Sequence, residues 1–333
     1  MSVDPQLPDD LTDAAQTPAR AVRAVRAMDP DALMDAWSGI ALRAGALLRD
    51  AVGPDFQARV DKLDEQLREL VSCEPDRSLL WLVHHNTNDS HNYSVLHALL
   101  VAAVCELAAD RLDGLSDDMK PSLRRAALTM NLSIMRLQDT LAQQPDVLSD
   151  EQRGLLQGHG LRSAAALREI GVNDALWLAA VEHHHGAPAG PLDALAPGMQ
   201  LARLVQQADI FAARLSPRKA RRALSANDAA KGVYFDERKS PDECGAAVIK
   251  AVGMYAPGSF VLLRNGEVAV VVRRGERADQ PLVASVATVQ NMAFSSPQRR
   301  DGSVPVHAVV AGLPPHQMRV RVPLAKLLRL AAA

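Results

Sequence analysis

Aromatic side chains are scarce: three tryptophans, three tyrosines and five phenylalanines in 333 residues. A core with so few must be assembled from leucine, valine and alanine, a mixture that favours helices. Cysteine is scarcer still. Cys73, Cys105 and Cys244 stand far apart, form no CxxC pair and are odd in number, which argues against a disulfide framework and suits a reducing cytoplasm. Neither sign of charge predominates. A formal net charge of −2 supplies no field to recruit nucleic acid or a membrane surface. The basic run SPRKARRAL, 216–224, reads as a solvated helix face rather than a polyanion contact. Apolar runs meet a charge well before the roughly 18 residues that a membrane span needs. The N-terminal MSVDPQLPDDLTDAAQTPAR is acidic and proline-containing and lacks the apolar stretch of a signal peptide.

What is present is mostly helical pattern. Residues 1–29 read as a flexible leader. Apolar residues at helical spacing follow over 29–51, where Asp29-Pro30 reads as an N-cap followed by proline at the first helical position. A second amphipathic segment, 54–73, carries the stripe Phe56, Val60, Leu63, Leu67 and Val71. Residues 30–80 therefore form an N-terminal helical segment. Further helices are expected at 94–111, 119–138, 149–157, 161–170, 173–185, 197–214 and 240–253, within a domain spanning 81–255. The polar stretch HHNTNDSHN, 84–92, reads as a loop, with Asp89 or Ser90 capping the helix that follows. Beyond Pro257 the period changes to two. Asn265-Gly266 between apolar runs signals a hairpin, and PLVASVATV, VPVHAVVAG and MRVRVP (318–323) read as further strands of a small β-rich tail, 256–333.

Histidines and a carboxylate recur on the helical segments: His97, His159, the triplet His183-His184-His185 in VEHHHG, and Asp209. Imidazoles and a carboxylate converging from several helices are a usual way to hold a catalytic metal. Taken singly, each histidine reads more simply as a hydrogen-bonded core residue. Their order resembles a known pattern. YSVLHALLVAAVCELAADRL (93–112), RRAALTMNLSIMRLQD (124–139), LAQQPDVLSDEQRGLLQGHG (141–160), VEHHHG and LVQQADIFAARLSPR (204–218) resemble, in that order, the successive segments of an HD-GYP domain. That is the cyclic di-GMP phosphodiesterase branch of the HD superfamily, and the resemblance covers most of 80–275. It implies a mainly α fold: an HD-type helical bundle with an N-terminal helical pair and a small β-rich C-terminal module. It implies metal ligands at His97, His159, His183, His184 and Asp209, holding iron, manganese or another divalent ion, and a phosphate contact at Arg218.

The resemblance also marks departures. Met130 and Asn131 stand where the family has its His-Asp dyad, and Ile134 stands in place of the following lysine. His185 replaces a glutamate, and GAPAGPLDALAPG (186–198) lacks the aromatic of the Gly-Tyr-Pro loop. A thioether suits iron or manganese poorly, and a neutral amide is a weak bridge between two cations. Asp139 and Glu182 are carboxylates that could substitute for the lost bridge. For the histidines, two readings stay open: a residual metal site, or neutral relics hydrogen-bonded to backbone and to Asp209, with no metal bound. For function there are likewise two. One is a catalytically impaired cytoplasmic signalling domain that acts by binding cyclic di-GMP or a signalling protein. The other is an active metal-dependent phosphohydrolase with an altered site. The N-terminal helices, 30–80, either pack on the domain or mediate self-association of the chain.

Overall fold

The computed structural model describes residues 27–235, 240–290 and 292–332. The expected leader, 1–29, lies outside them except for its last three residues. α1 (Pro30–Arg49) starts as its sequence dictates: the Asp29 carboxylate accepts from the backbone N–H of Asp31 and of Ala32 at 3.0 and 3.3 Å, with Pro30 at the first position. α2 (Phe56–Cys73) buries its whole apolar stripe. α3 (Pro75–Asn88) follows, then α4 (Tyr93–Ala109), whose side chains are buried almost all round. Such a helix shows little amphipathicity because neighbours surround it. α1, α2, α3, α5 (Lys120–Thr129), α6 (Met135–Gln143), α10 (Pro197–Leu215) and α12 (Glu243–Val252) all pack on α4. α7 (Asp150–Leu156), α8 (His159–Glu169) and α9 (Ala175–His183) lead into α10, and α11 (Ala226–Tyr234) precedes α12. Among the described residues no helix is long and apolar enough to cross a membrane.

Three expectations for the helical part need correction. The basic run 216–224 is not a helix face but a turn after α10, closed by a bridge between Arg218 and Arg221. His84–Asn88 belong to the last turn and a half of α3 and are not loop. The stretch lost to pattern reading is held by Asn86, whose buried amide donates to the carbonyls of Leu82 and Leu96 at 2.9 and 3.0 Å. Only 89–92 form the turn into α4. There Asp89 accepts from the His91 N–H at 2.9 Å, but the N–H of Ser94 in α4 is taken by the distant Asp139 carboxylate at 2.8 Å. The expected helix 119–138 is broken after Thr129 into α5, a 3-10 turn at Leu132–Ile134, and α6. Polar side chains hold the break. The Ser133 N–H donates to Ser163 Oγ on α8 at 3.1 Å, and Thr129 Oγ1 accepts the indole N–H of Trp177 at 2.7 Å.

The tail is a five-stranded antiparallel sheet ordered β4-β3-β2-β1-β5. Its strands are β1 (Phe260–Leu263), β2 (Glu267–Arg273), β3 (Leu282–Thr288), β4 (Ala293–Asp301) and β5 (Val309–Leu313). The hairpin at Asn265-Gly266 forms, with Gly266 at φ +81°, a conformation that costs glycine little. β4 was not legible because Pro297 interrupts it; an edge strand tolerates that. MRVRVP is extended but joins no ladder among the described residues. Val320 and Val322 turn towards the core while Arg319 and Arg321 face out, and the chain then enters α13 (Leu324–Ala332), which packs on α1, α3 and the sheet. One sheet face (Val268, Val270, Val272, Ala284, Val286) joins the helical core. The Arg274 guanidinium, bonded at 2.6 Å to Asp76 of α3, ties the two parts together.

Two consequences are measurable. Arg124 of α5 is buried between Asp64 of α2, at 2.6 and 2.8 Å, and Glu106 of α4, at 2.7 Å. Arg124→Ala strands two carboxylates and is expected to cost about 3–5 kcal/mol in a urea unfolding curve. Burial, aided by the charge of His85, pushes the His84 imidazole down to about 4 from 6.5. Below about pH 6.5 the unfolded chain takes up a proton there that the folded chain refuses. The contribution to stability is therefore intact above pH 6.5 and lost progressively towards pH 4. Melting temperatures across that window are expected to fall less steeply in His84→Gln than in the wild type.

Candidate metal centre

Four helices bring the singled-out residues together. His97 lies in the second turn of α4 and is buried; its Nε2 is 2.6 Å from Asp209 Oδ1 on α10. One turn earlier, the Tyr93 ring lies parallel to the His97 ring, with centroids 5.6 Å apart and 8° between planes. The Arg218 guanidinium sits over Tyr93, 4.7 Å from its centroid, and donates to the phenol oxygen at 2.7 Å. Arg218 is thus held one ring away from His97.

His159 opens α8, after Gly158 in the left-handed conformation. Its Nδ1 lies 2.7 Å from Leu156 O, and its Nε2 lies 3.1 Å from Nε2 of His184. His184 caps α9, with its own Nδ1 2.7 Å from Val181 O. A carbonyl oxygen only accepts, so both Nδ1 atoms carry the proton. Both Nε2 atoms then present lone pairs to each other across 3.1 Å. That contact is repulsive unless a cation lies between them. A proton fits poorly at neutral pH: burial, then the charge of His185, pushes His184 down to about 3. Burial also pushes His159 down, with His185 and Arg162 adding to it and the Leu156 carbonyl and Asp209 opposing it. A metal ion fits well. Two imidazole nitrogens on one tetrahedral ion, each 2.0–2.1 Å from it, are about 3.3 Å apart. A backbone carbonyl on the far nitrogen is the usual device for orienting such ligands.

His185 completes the cluster. Ligand nitrogens of His159, His184 and His185 lie within 4.8 Å of one another. Asp209 adds negative charge beside them. Burial alone would raise its carboxyl; the His97 hydrogen bond and the charges of His97, His184 and His185 outweigh that and hold it well below the usual range.

The structure therefore draws together His97, His159, His184 and Asp209 and leaves His183 apart. His183 is half-exposed, 3.8 Å from Glu182, because it is the last residue of α9 and points about 100° around the axis from His184. The third imidazole of the cluster is His185, itself exposed, where the chain leaves the helix. Met130, Asn131 and Ile134 are buried, Met130 wholly within the apolar core. Asp139 and Glu182 are engaged elsewhere, Asp139 at the start of α4 and Glu182 with Arg168 at 2.8 Å. Sequence reading missed Gly160, which lets α8 meet α9. A Cβ there would stand 2.8 Å from Val181 O and 2.9 Å from Glu182 O. The signal lay beside the ligand, in GHG. Gly160→Ala is expected to push the helices apart, to cost about 1–3 kcal/mol by denaturant titration, and to weaken metal uptake by the same protein.

No family model matches the chain. It is 27% identical over 227 residues to the cyclic di-GMP phosphodiesterase PA4108 of Pseudomonas aeruginosa, covering 66% of this chain and 53% of that protein. The chain thus spans about half the length of this curated relative. Its fold is similar to that of Bd1817, a HDG"Y"P protein from Bdellovibrio bacteriovorus, with TM-score 0.50 and 14% identity over 73% of this chain and 76% of the other. The chain is thus similar in sequence to a cyclic di-GMP phosphodiesterase and in fold to a HDG"Y"P protein, and its imidazole cluster is built from the anticipated helices.

Proposed function

We propose that the chain is a cyclic di-GMP phosphodiesterase-like signalling domain, impaired in hydrolysis, that acts by binding a nucleotide or a signalling protein. The observation that carries this reading is the burial of Met130 and Asn131, with no carboxylate among the described residues grouped with the imidazoles. Hydrolysis with two ions needs an anionic oxygen shared between them. The residues here supply one imidazole cluster and one flanking His97–Asp209 pair, a set suited to a single ion.

The facing nitrogens of His159 and His184 support a second reading, an altered one-metal phosphohydrolase. An ion there would act as a Lewis acid on a phosphoryl oxygen or lower the pKa of water. His159, His184 and His185 would hold it, with Asp209 contributing charge and fixing His97. An all-imidazole set suits zinc, iron, nickel or copper better than manganese.

Turnover of cyclic di-GMP by the full chain, loaded in turn with Fe(II), Mn(II) and Zn(II), separates the readings. No linear or mononucleotide product above a metal-only blank is expected from the wild type. Product that vanishes in His184→Gln would overturn the impaired reading and favour the second. Calorimetry with cyclic di-GMP then tells nucleotide binding from an action through a protein partner.

A further inference from the structure

The outer face of α1 is arranged for a second copy of itself. The inner face buries Leu33, Trp37, Ile40, Ala44, Leu47 and Leu48. The outer face carries Leu42, 76% exposed, in a helix whose other leucines are packed. Beside it runs a groove of about 680 Å³, walled by Ser38 and Gly45 of α1, floored by Trp81 and His85 of α3 and closed by Val95 of α4. Trp81 is itself buried, stacked on Trp37 at 5.6 Å and met by the tilted His85 ring at 4.0 Å, so the floor is firm.

The charges on this face are placed symmetrically about Leu42. Asp35 lies seven residues before it and Arg49 seven after; Ser38 lies four before and Ala46 four after. All four are exposed. We propose that α1 pairs antiparallel with α1 of a second copy, across a two-fold axis passing close to Leu42. Each Leu42 then enters the other copy's groove. Ser38 meets Ala46, and Asp35 meets Arg49 about 10 Å along the helix on either side of the axis. A parallel pairing would set Asp35 on Asp35 and is disfavoured by charge. The arrangement is isologous, closes at two subunits, and needs no contribution from the metal centre.

Sedimentation velocity on the full chain across a concentration series tests it. The wild type is expected to show a monomer–dimer equilibrium. Leu42→Asp, at an exposed position, is expected to keep the melting temperature and weaken association about 30-fold, the scale of a central apolar contact. Asp35→Arg is expected to weaken it less, and Asp35→Arg with Arg49→Asp to recover part of the loss. Leu42→Cys in a Cys73→Ser background is expected to yield an oxidised, symmetric dimer, the other two thiols being buried. A wild type that stays monomeric throughout, or a dimer indifferent to Leu42→Asp that does not cross-link through Leu42→Cys, overturns the proposal.

Discussion

Two backbone carbonyls, Leu156 O and Val181 O, take the Nδ1 protons of His159 and His184 and so decide what the centre can be. Each imidazole is left with a bare Nε2 aimed at the other across 3.1 Å. Neither ring can turn away without giving up its carbonyl, and neither can accept a proton cheaply, because the site is buried and His185 stands beside it. The two helix ends are pressed together by Gly160, which leaves no room for a Cβ between α8 and α9. A pair of lone pairs held face to face in a buried site is a stored electrostatic cost that a divalent cation relieves.

The same constraint limits the chemistry. The cluster is compact and on one side of the break after α5, where Met130 joins the apolar core and Asn131 is buried. The other anion, Asp209, is committed to His97, which is in turn fixed by the Tyr93–Arg218 stack. On the proposed reading the cluster would take one cation, and among the described residues no anionic ligand stands ready to be shared with a second. Arg218, one ring away from His97, spends a donor on Tyr93. These features support the proposed reading of binding over efficient hydrolysis.

Much of the fold was legible. The stripe of α2, the Asp29-Pro30 start of α1 and the Asn265-Gly266 hairpin follow from local rules that tertiary structure had no reason to override. The break between α5 and α6 was not legible because its determinants, Ser163 and Trp177, lie 30 or more residues away. α3 was obscured by its polar last turn, which Asn86 satisfies through contacts to α4. Of the residues that spacing and resemblance named, the structure sets His159 and His184 together and pairs His97 with Asp209. Adjacent histidines at a helix end face different ways, and only the exit geometry of α9 shows that His185, rather than the expected His183, stands in the cluster. The tautomers, and with them the case for a cation, depend on backbone carbonyls that no sequence pattern displays.

The most direct test is Co(II) titration of the metal-depleted full chain, followed by visible absorption and metal content. The account predicts one equivalent bound with a tetrahedral-type spectrum, lost in His159→Gln and in His184→Gln and retained in His183→Gln. No uptake, two equivalents, or loss of binding on changing His183 alone would contradict it.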